Sequence, residues 1–371
     1  MDSCACSPLV PDARAERLAR LTEALGAAHL DALLITSLPN IRYLTGFSGT
    51  SALLVVTARD ALFITDFRYQ TQAAAEVEAV ATVHIEPQSL WTGLWRLLPG
   101  HPAVEIVGFE SVHLVHRDFQ RLLEAGSRWQ WRPTSDLVED QRERKDSDEV
   151  ALISEAAQIA VRALARTLPE VRAGLTELAI AGVLEHALRV EGSEGFPFPS
   201  IVASGERSAL PHARSSSKPV HEGDLLLLDF GAEYRGYCAD VTRTFVVGRA
   251  TPEQREIHET VRIANERAVA GIRPGMRGRD ADALARSYIE QRGLGELFGH
   301  SLGHGLGLEV HEAPRLSRVA ETLLPPGAVV TIEPGIYRAG WGGVRIEDDV
   351  HLAPGGPVIL THFARELIEL S

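Results

Sequence analysis

The sequence predicts a two-domain α+β protein, with a smaller α/β domain over residues 1–142 and a larger domain over residues 143–371. Three observations carry this reading. With 371 residues and 45% hydrophobic content, the chain exceeds what one typical core accommodates. A polar run, Gln141-Arg142-Glu143-Arg144-Lys145-Asp146, interrupts the apolar pattern, and Asp146 with Glu149 three residues on forms a capping box that starts a new helix. Beyond that run the pattern repeats: a shift of 101 residues lays Ala163, Arg166, Arg172, Gly174 and Gly192 on Ala264, Arg267, Arg273, Gly275 and Gly293.

In the first domain, Leu18, Leu21, Leu25 and Ala28 recur at helical spacing and predict an opening helix over residues 12–28. Residues 31–36, 52–56 and 61–65 read as strands, the last two as a hairpin, and residues 39–49 as a turn-rich connection. A helix over 114–125 falls between strands at 104–108 and 129–132, and Trp91 and Trp95 sit four apart on another helix. Mixed strands and helices make a small α/β domain. Asp66, Arg68 and Tyr69 close the hairpin, where packing and surface pairing account for them.

In the second domain each copy of the repeat reads as helix, short loop with an Arg-x-Gly element, helix, glycine and then strands. Thr251-Pro252-Glu253-Gln254 supplies the second copy's first helix with a capping box and a proline at its first position. Two such halves would pack around a shared sheet, related by a pseudo-twofold. Pro211-His212-Ala213 nearly corresponds to His311-Glu312-Ala313-Pro314, 99 residues on, so the pseudo-axis would set His212 and His311 on opposite sides of a common site.

Composition narrows the function. Lys plus Arg is 37 and Asp plus Glu is 50, so 37 − 50 gives a formal charge of −13 with no basic block to offset it. Nucleic acid and anionic membrane surfaces are not expected partners. No apolar run reaches the ~18 residues of a spanning helix, and the first residues lack the charged and apolar regions of a signal peptide. A cytoplasmic protein is expected. Cys4, Cys6 and Cys238 cannot form a disulfide framework; Cys4-Ala5-Cys6 reads as a frayed terminus rather than a metal site, and Cys238 as a small packing residue.

The stretch from Gly299 to Glu312 places His300, His304 and His311 among four glycines, which suits neither a long helix nor an ordinary packed strand. Two hairpin-like segments complement it. Leu225-Leu226-Leu227-Leu228-Asp229 drops a carboxylate into an apolar run, and Asp240 comes eleven residues later. Val329-Val330-Thr331-Ile332-Glu333 does the same, and Glu347 comes fourteen residues on. An ionised carboxylate in an apolar strand is costly unless it is paired or binds metal. Asp229, Asp240, Glu333 and Glu347 with His304 would form an oxygen-rich site with one nitrogen, suited to Mn²⁺, Co²⁺ or Fe²⁺, with Zn²⁺ also accommodated. Two cations held by shared carboxylates polarise a carbonyl and acidify a water. Glu347 carries the weakest signal, because Asp348 and Asp349 come directly after it and the register could slip.

Other chemistries lack their motifs. His300 and His304 are four apart, but Ser301 stands where His-Glu-x-x-His needs its glutamate. The only lysines, Lys145 and Lys218, belong to no Walker A loop, and Gly303-x-Gly305-x-Gly307 is not Gly-x-Gly-x-x-Gly.

In their contexts Leu-Asp-Phe-Gly, Ala-Asp-Val-Thr-Arg-Thr, His-Ser-Leu-Gly-His-Gly-Leu-Gly-Leu-Glu-Val-His-Glu, Ile-Glu-Pro-Gly and Val-Arg-Ile-Glu-Asp, these residues resemble the Xaa-Pro peptidases. Those are the proline dipeptidases (prolidases) and aminopeptidases P of the creatinase and methionine aminopeptidase superfamily. The resemblance spans the whole chain. It implies an α+β "pita-bread" metallopeptidase domain with an internal pseudo-twofold, preceded by a creatinase-like domain, and a homodimer that cleaves small proline-containing peptides with two divalent ions per subunit, Mn²⁺ first among them. Asp229 and Glu347 would be shared by both ions, Asp240 would bind one and His304 the other, and Glu333 would be both ligand and proton shuttle. His212 and His311 would line the cleft, Arg345 would orient a ligand or bind a carboxylate, and His300 would either touch substrate or support the glycine-rich loop.

Methionine aminopeptidase shares the metal set but not a leading domain of ~140 residues; creatinase-like enzymes lack the ligands; a non-catalytic binding protein would have no use for ligands and cleft histidines together. The compact chain, with Arg338 and Arg345 near the site, leans towards a dipeptidase over an aminopeptidase.

Overall fold

In the computed structural model the described residues are 11–371, so Cys4 and Cys6 lie outside them. The chain divides into two units, Met1–Arg142 and Glu143–Ser371.

The amino-terminal unit runs α1 (Pro11–Ala27), β1 (Ala32–Ile35), α2 (Leu38–Thr45), β2 (Leu53–Thr57), β3 (Ala61–Thr65), α3 (Gln70–Glu76), β4 (Thr82–Ile85), α4 (Leu90–Leu97), β5 (Ile106–Glu110), α5 (His116–Ala125), β6 (Gln130–Thr134) and α6 (Glu139–Arg142). Its strands form one sheet in the order β4-β3-β2-β1-β5-β6. The β2–β3 hairpin is antiparallel, whereas β1–β5 and β5–β6 are parallel and need crossover helices.

The turn-rich reading of residues 39–49 is corrected here, because most of that stretch is helix α2. Ser37 caps it by accepting from Asn40 N, a proline lies in its first turn, and Gly46 ends it at φ 82°. Ile41, Tyr43 and Leu44 are fully buried, so packing overrides the turn-like composition. Asp66 and Arg68 form an exposed ion pair (2.8 Å), and Trp91 and Trp95 share α4 with ring centroids 6.3 Å apart.

The carboxy-terminal unit opens with α7 (Ser147–Thr167) and α8 (Glu177–Glu191), then β7 (Ile201–Ser204), β8 (Leu225–Phe230), β9 (Glu233–Tyr234), β10 (Tyr237–Cys238) and β11 (Val241–Val247). A second helix pair, α9 (Pro252–Gly271) and α10 (Gly278–Gln291), leads to β12 (Gly303–Gly305), β13 (Glu312–Leu316), β14 (Val329–Ile332), β15 (Gly335–Arg338), β16 (Gly342–Arg345), β17 (Asp348–Ala353), β18 (Gly356–Ile359) and β19 (Glu369–Leu370). The capping boxes read at Asp146 and Thr251 start α7 and α9.

The repeat is visible in the backbone. Gly174 N donates to Val220 O and Gly275 N to Leu324 O, each at 2.8 Å, and bridges join Thr176 to Pro219 and Arg277 to Leu323. Gly174 and Gly275 both take positive φ (94° and 83°), the conformation glycine adopts without strain.

Each half packs its helices on one face of its strands. Leu226, Leu228 and Phe230 of β8 bury against Ile159, Ala163 and Leu184 of α7 and α8, while Val330 and Ile332 of β14 bury against Val261, Ala264 and Ala285 of α9 and α10. Because strand side chains alternate, Asp229, Val329 and Thr331 fall on the opposite, inner faces. The site is built there. Among the described residues no helix is long and apolar enough to cross a membrane.

Candidate metal centre

Asp229 sits directly opposite Thr242 in the β8–β11 ladder, and Asp240 immediately precedes β11. On the other side, the β14–β17 ladder ends at Ile332–Asp348 and the β15–β16 ladder begins at Gly335–Arg345. Glu333 and Glu347 occupy the two facing gaps where one ladder hands over to the other. The expectation that all four carboxylates lie inside apolar strands therefore holds for Asp229 alone; the others sit at strand breaks.

His304 is carried by β12, where the ladder to β13 shifts register. The flanking glycines are required by backbone proximity: a Cβ on Gly303 would lie 2.0 Å from Thr331 O, and one on Gly305 2.0 Å from Ala313 O. His304 Nδ1–H donates to Gly305 O (3.0 Å), which leaves Nε2 facing Glu333 Oε1 (3.5 Å) and Asp240 Oδ2 (3.8 Å).

Ligand atoms of Asp240, His304 and Glu347 all lie within 4.8 Å of one another. Asp240 Oδ1 is buried and accepts no hydrogen bond among the described residues, an orphaned acceptor that a cation would satisfy. Glu347 Oε2 accepts from Thr242 Oγ1 (2.6 Å), which fixes its register. The next two acids turn elsewhere. Asp348 accepts from Arg243 Nη2 (2.7 Å), Arg365 Nε (2.7 Å) and Thr361 Oγ1 (2.9 Å), and Asp349 Oδ2 accepts from Asp240 N (3.1 Å).

Arg345 is fully committed within the cluster. It pairs with Asp229, and donates to Thr242 Oγ1 (3.0 Å) and to the Tyr337 hydroxyl (2.7 Å). Tyr337 in turn meets His300 Nε2 at 3.0 Å, and His300 Nδ1–H donates to Ser301 O (2.8 Å), 3.9 Å from Glu333. His300 thus braces the glycine-rich segment and reaches the carboxylates mainly through Tyr337, a residue the sequence reading did not single out.

Burial dominates the electrostatics. It lifts Asp240 and Glu333 well above the usual carboxylate range, with repulsion from Glu347 adding to it, and lifts Glu347 to about 8 with Asp229 as its main repelling neighbour. Asp229 is raised by burial but restrained by Arg345. Burial also lowers His300 and His304 to about 4, so both imidazoles are neutral near pH 7, and it pushes Tyr337 up to about 12. Counted fully ionised, four buried carboxylates against one guanidinium, −4 + 1 = −3, make a site that calls for cations. Oxygen-rich with one imidazole nitrogen, the donor set fits borderline divalent metals.

His311 and His212 are both exposed. The His311 ring lies 4.3 Å from that of His304, and charge on either of these histidines, His311 or His212, acts on Asp229. Arg315, also overlooked in the sequence, stands directly across the β12–β13 ladder from His304, and among the described residues no acidic group pairs with it. Its signal was available: it lies four residues beyond His311 in a strand whose partner carries a proposed ligand. Cys238 is buried against Leu306 and Val329, a packing role.

Comparisons with known proteins agree with this geometry. Residues 151–354 match metallopeptidase family M24, and residues 17–144 match the creatinase/prolidase amino-terminal domain. The chain is 42% identical over 354 residues to the uncharacterized peptidase YqhT of Bacillus subtilis, covering 95% of this chain and 100% of that one. Among solved structures, an Xaa-Pro dipeptidase from Bacillus anthracis superposes with TM-score 0.93 at 41% identity, covering 96% of this chain and 100% of the other. An X-Pro aminopeptidase from Thermotoga maritima superposes with TM-score 0.87 at 38% identity, covering 95% and 99%. The protein belongs to metallopeptidase family M24, its pita-bread catalytic domain preceded by a creatinase-like amino-terminal domain.

Proposed function

We propose that the protein is a proline dipeptidase that uses two divalent cations, Mn²⁺ foremost, to hydrolyse the Xaa-Pro bond. The observation that carries the hydrolytic reading is the convergence of Asp240, His304 and Glu347 within 4.8 Å, with Asp229 and Glu333 on the same cluster. The charge of −3 on the fully ionised cluster supports two cations over one, since one leaves −1 and two bring the cluster to +1 before any substrate anion enters.

Asp229, Asp240, His304, Glu333 and Glu347 would hold the ions. The sequence resemblance gives Asp229 and Glu347 as the shared carboxylates; the geometry favours Asp240 and Glu347, because Arg345 already occupies Asp229 Oδ2 and Asp240 lies with His304 and Glu347. When bound, the cations polarise the scissile carbonyl and lower the pKa of a water.

The side chains do the rest. Glu333, raised by burial and by Glu347, has the proton affinity to take a proton from the attacking water and pass it to the proline nitrogen, which leaves as a secondary amine. His311, its pKa lowered chiefly by desolvation, would offer an N–H to the tetrahedral intermediate, and His212 would line the same cleft. An Xaa-Pro amide has no N–H of its own, so recognition rests on the ring's shape and on the group carboxy-terminal to it, a free carboxylate in a dipeptide and a further peptide bond in a longer chain.

The disposition of cationic side chains favours the dipeptidase. The arginines expected to bind the proline carboxylate are both engaged: Arg345 is buried against Asp229, and Arg338 pairs with Glu253 (2.7 Å) and stacks over Trp341. Arg315, beside His304 and without an acidic partner among the described residues, is the cation left for that carboxylate. The second reading, an aminopeptidase acting on longer peptides, is favoured by an open polar cavity of about 390 Å³ lined by His300, Ser301, Ser317 and Arg318, where residues beyond proline would fit.

A peptide-length series with Mn²⁺-reconstituted protein separates the two. Xaa-Pro dipeptides are expected to show the higher kcat/KM, and a clear preference for Xaa-Pro tripeptides would reverse the assignment. A homodimer and a cytoplasmic location belong to the same proposal, and sedimentation in solution tests the first.

A further inference from the structure

His311 reaches the centre from an irregular stretch, and its ring touches His304 at 4.3 Å yet makes no side-chain hydrogen bond among the described residues. Its placement therefore depends on its backbone. The adjoining residue supplies an anchor: Glu312 forms an ion pair with Lys145 at 2.6 Å, with the two side chains 1% and 9% exposed, Lys145 first. Glu312 also pairs with Gly305 in the β12–β13 ladder, one residue from His304. The carboxylate is seated tightly, since a Cβ on Gly307 would lie 2.4 Å from Glu312 Oε1.

The other end of the pair is anchored too. Lys145 N donates to Gly327 O (3.1 Å), and the next residue, Asp146, caps α7. Glu149, in the same cap, accepts from the Tyr237 hydroxyl (3.0 Å), three residues from Asp240. One short segment thus touches both halves of the catalytic unit.

The residue type matters as well. Two of the 37 basic residues are lysine, leaving 37 − 2 = 35 arginines. A slender ammonium fits this closed site beside one carboxylate, whereas a planar guanidinium would bring five donors into it.

We propose that the buried Lys145–Glu312 ion pair is the positioning device for His311, holding the hairpin so that the imidazole stays beside His304 over the metal centre. The proposal rests on the role given to His311 above, and it makes Lys145 a positioning residue rather than a catalytic one. Removing the tie should then impair what His311 does in the transition state and leave ground-state binding and cation affinity nearly intact.

The experiment is a mutant cycle on Mn²⁺-loaded protein with an Xaa-Pro dipeptide, with Mn²⁺ affinity measured by calorimetry alongside. Lys145→Met is expected to lower kcat by at least about tenfold, with KM and Mn²⁺ affinity each within about twofold. Lys145→Met in a His311→Ala background should cost nothing further. If the single variant does not fold, Lys145→Met/Glu312→Met, which leaves no buried charge unpaired, takes its place with the same expected loss. Wild-type kcat in either variant, additive losses in the cycle, or a parallel collapse of Mn²⁺ affinity would overturn the proposal. A wild-type protein that binds Mn²⁺ but does not cleave Xaa-Pro dipeptides would instead overturn the functional reading beneath it.

Discussion

Stripping the cations from the centre should make the protein's stability fall as pH rises through neutrality, opposite to the usual behaviour of paired carboxylates. Without metal, Glu347 is held near pKa 8 in the folded chain by burial and by Asp229, against an ordinary 4.5. A carboxyl raised in the folded state binds a proton that the unfolded chain has already released, so its contribution is complete below pH 4.5 and disappears as pH passes 8. Between pH 6.5 and 8.5 that one group accounts for a loss of about 2 kcal/mol. Asp240 and Glu333, displaced the same way, add to it. With cations bound, the carboxylates stay ionised throughout and the slope vanishes. The assay is calorimetric unfolding of chelated and Mn²⁺-loaded protein across that range. Tryptophan fluorescence would report the wrong unit, because Trp91, Trp95, Trp129 and Trp131 lie in the amino-terminal unit and only Trp341 in the other. Equal slopes with and without metal, or a chelated protein that grows more stable towards pH 8.5, would refute the claim that these carboxylates share one buried, cation-dependent site.

Three further outcomes are expected. Glu333→Gln should lower kcat by about 10²–10⁴-fold with the folded structure unchanged by circular dichroism, as loss of a proton shuttle does; near-wild-type turnover would remove it from that role. Arg315→Ala should raise KM for an Xaa-Pro dipeptide by about 10–100-fold, the worth of a charged hydrogen bond, while leaving the corresponding dipeptide amide, which lacks the carboxylate, unaffected. His258, buried on α9 and lowered to about 4 from 6.5, is neutral in the folded chain, so its contribution is present above pH 6.5 and lost as pH falls towards 4. Chelated His258→Phe should accordingly lose about 2.5 kcal/mol less than chelated wild type between pH 7.5 and 4.5 in urea titrations, and identical pH profiles would contradict the burial argument.

The parts of this architecture that were legible in the sequence are those whose signal is local. Asp229 announces itself because four leucines precede it, Thr251-Pro252-Glu253-Gln254 because a capping box is complete within four residues, and the repeat because Gly174 and Gly275 answer the same backbone demand. Helix α2 was missed because its proline and flanking glycine read as turn residues in isolation; its buried Ile41, Tyr43 and Leu44 decide the matter through packing. The carboxylates at strand breaks illustrate the same limit. Glu333 and Glu347 looked like residues within apolar strands, and only pairing between distant segments reveals that one ladder stops and another begins on either side of them.

Arginine shows most clearly what single-sequence reasoning leaves open. Arg338 and Arg345 flank the glutamate motif, so proximity in sequence recommended both for the substrate carboxylate. In the folded chain each is spent on another acid, and the difference lies in partners 85 and 116 residues away, Glu253 and Asp229. A guanidinium buried among carboxylates lowers their mutual repulsion, but it cannot also accept an incoming anion without abandoning Asp229 to an uncompensated burial. Arg315 carries no such obligation, and it faces His304 from the neighbouring strand. The cluster thus divides its positive charge by exposure: a buried guanidinium steadies the ligand set, and an exposed one remains available to choose the substrate.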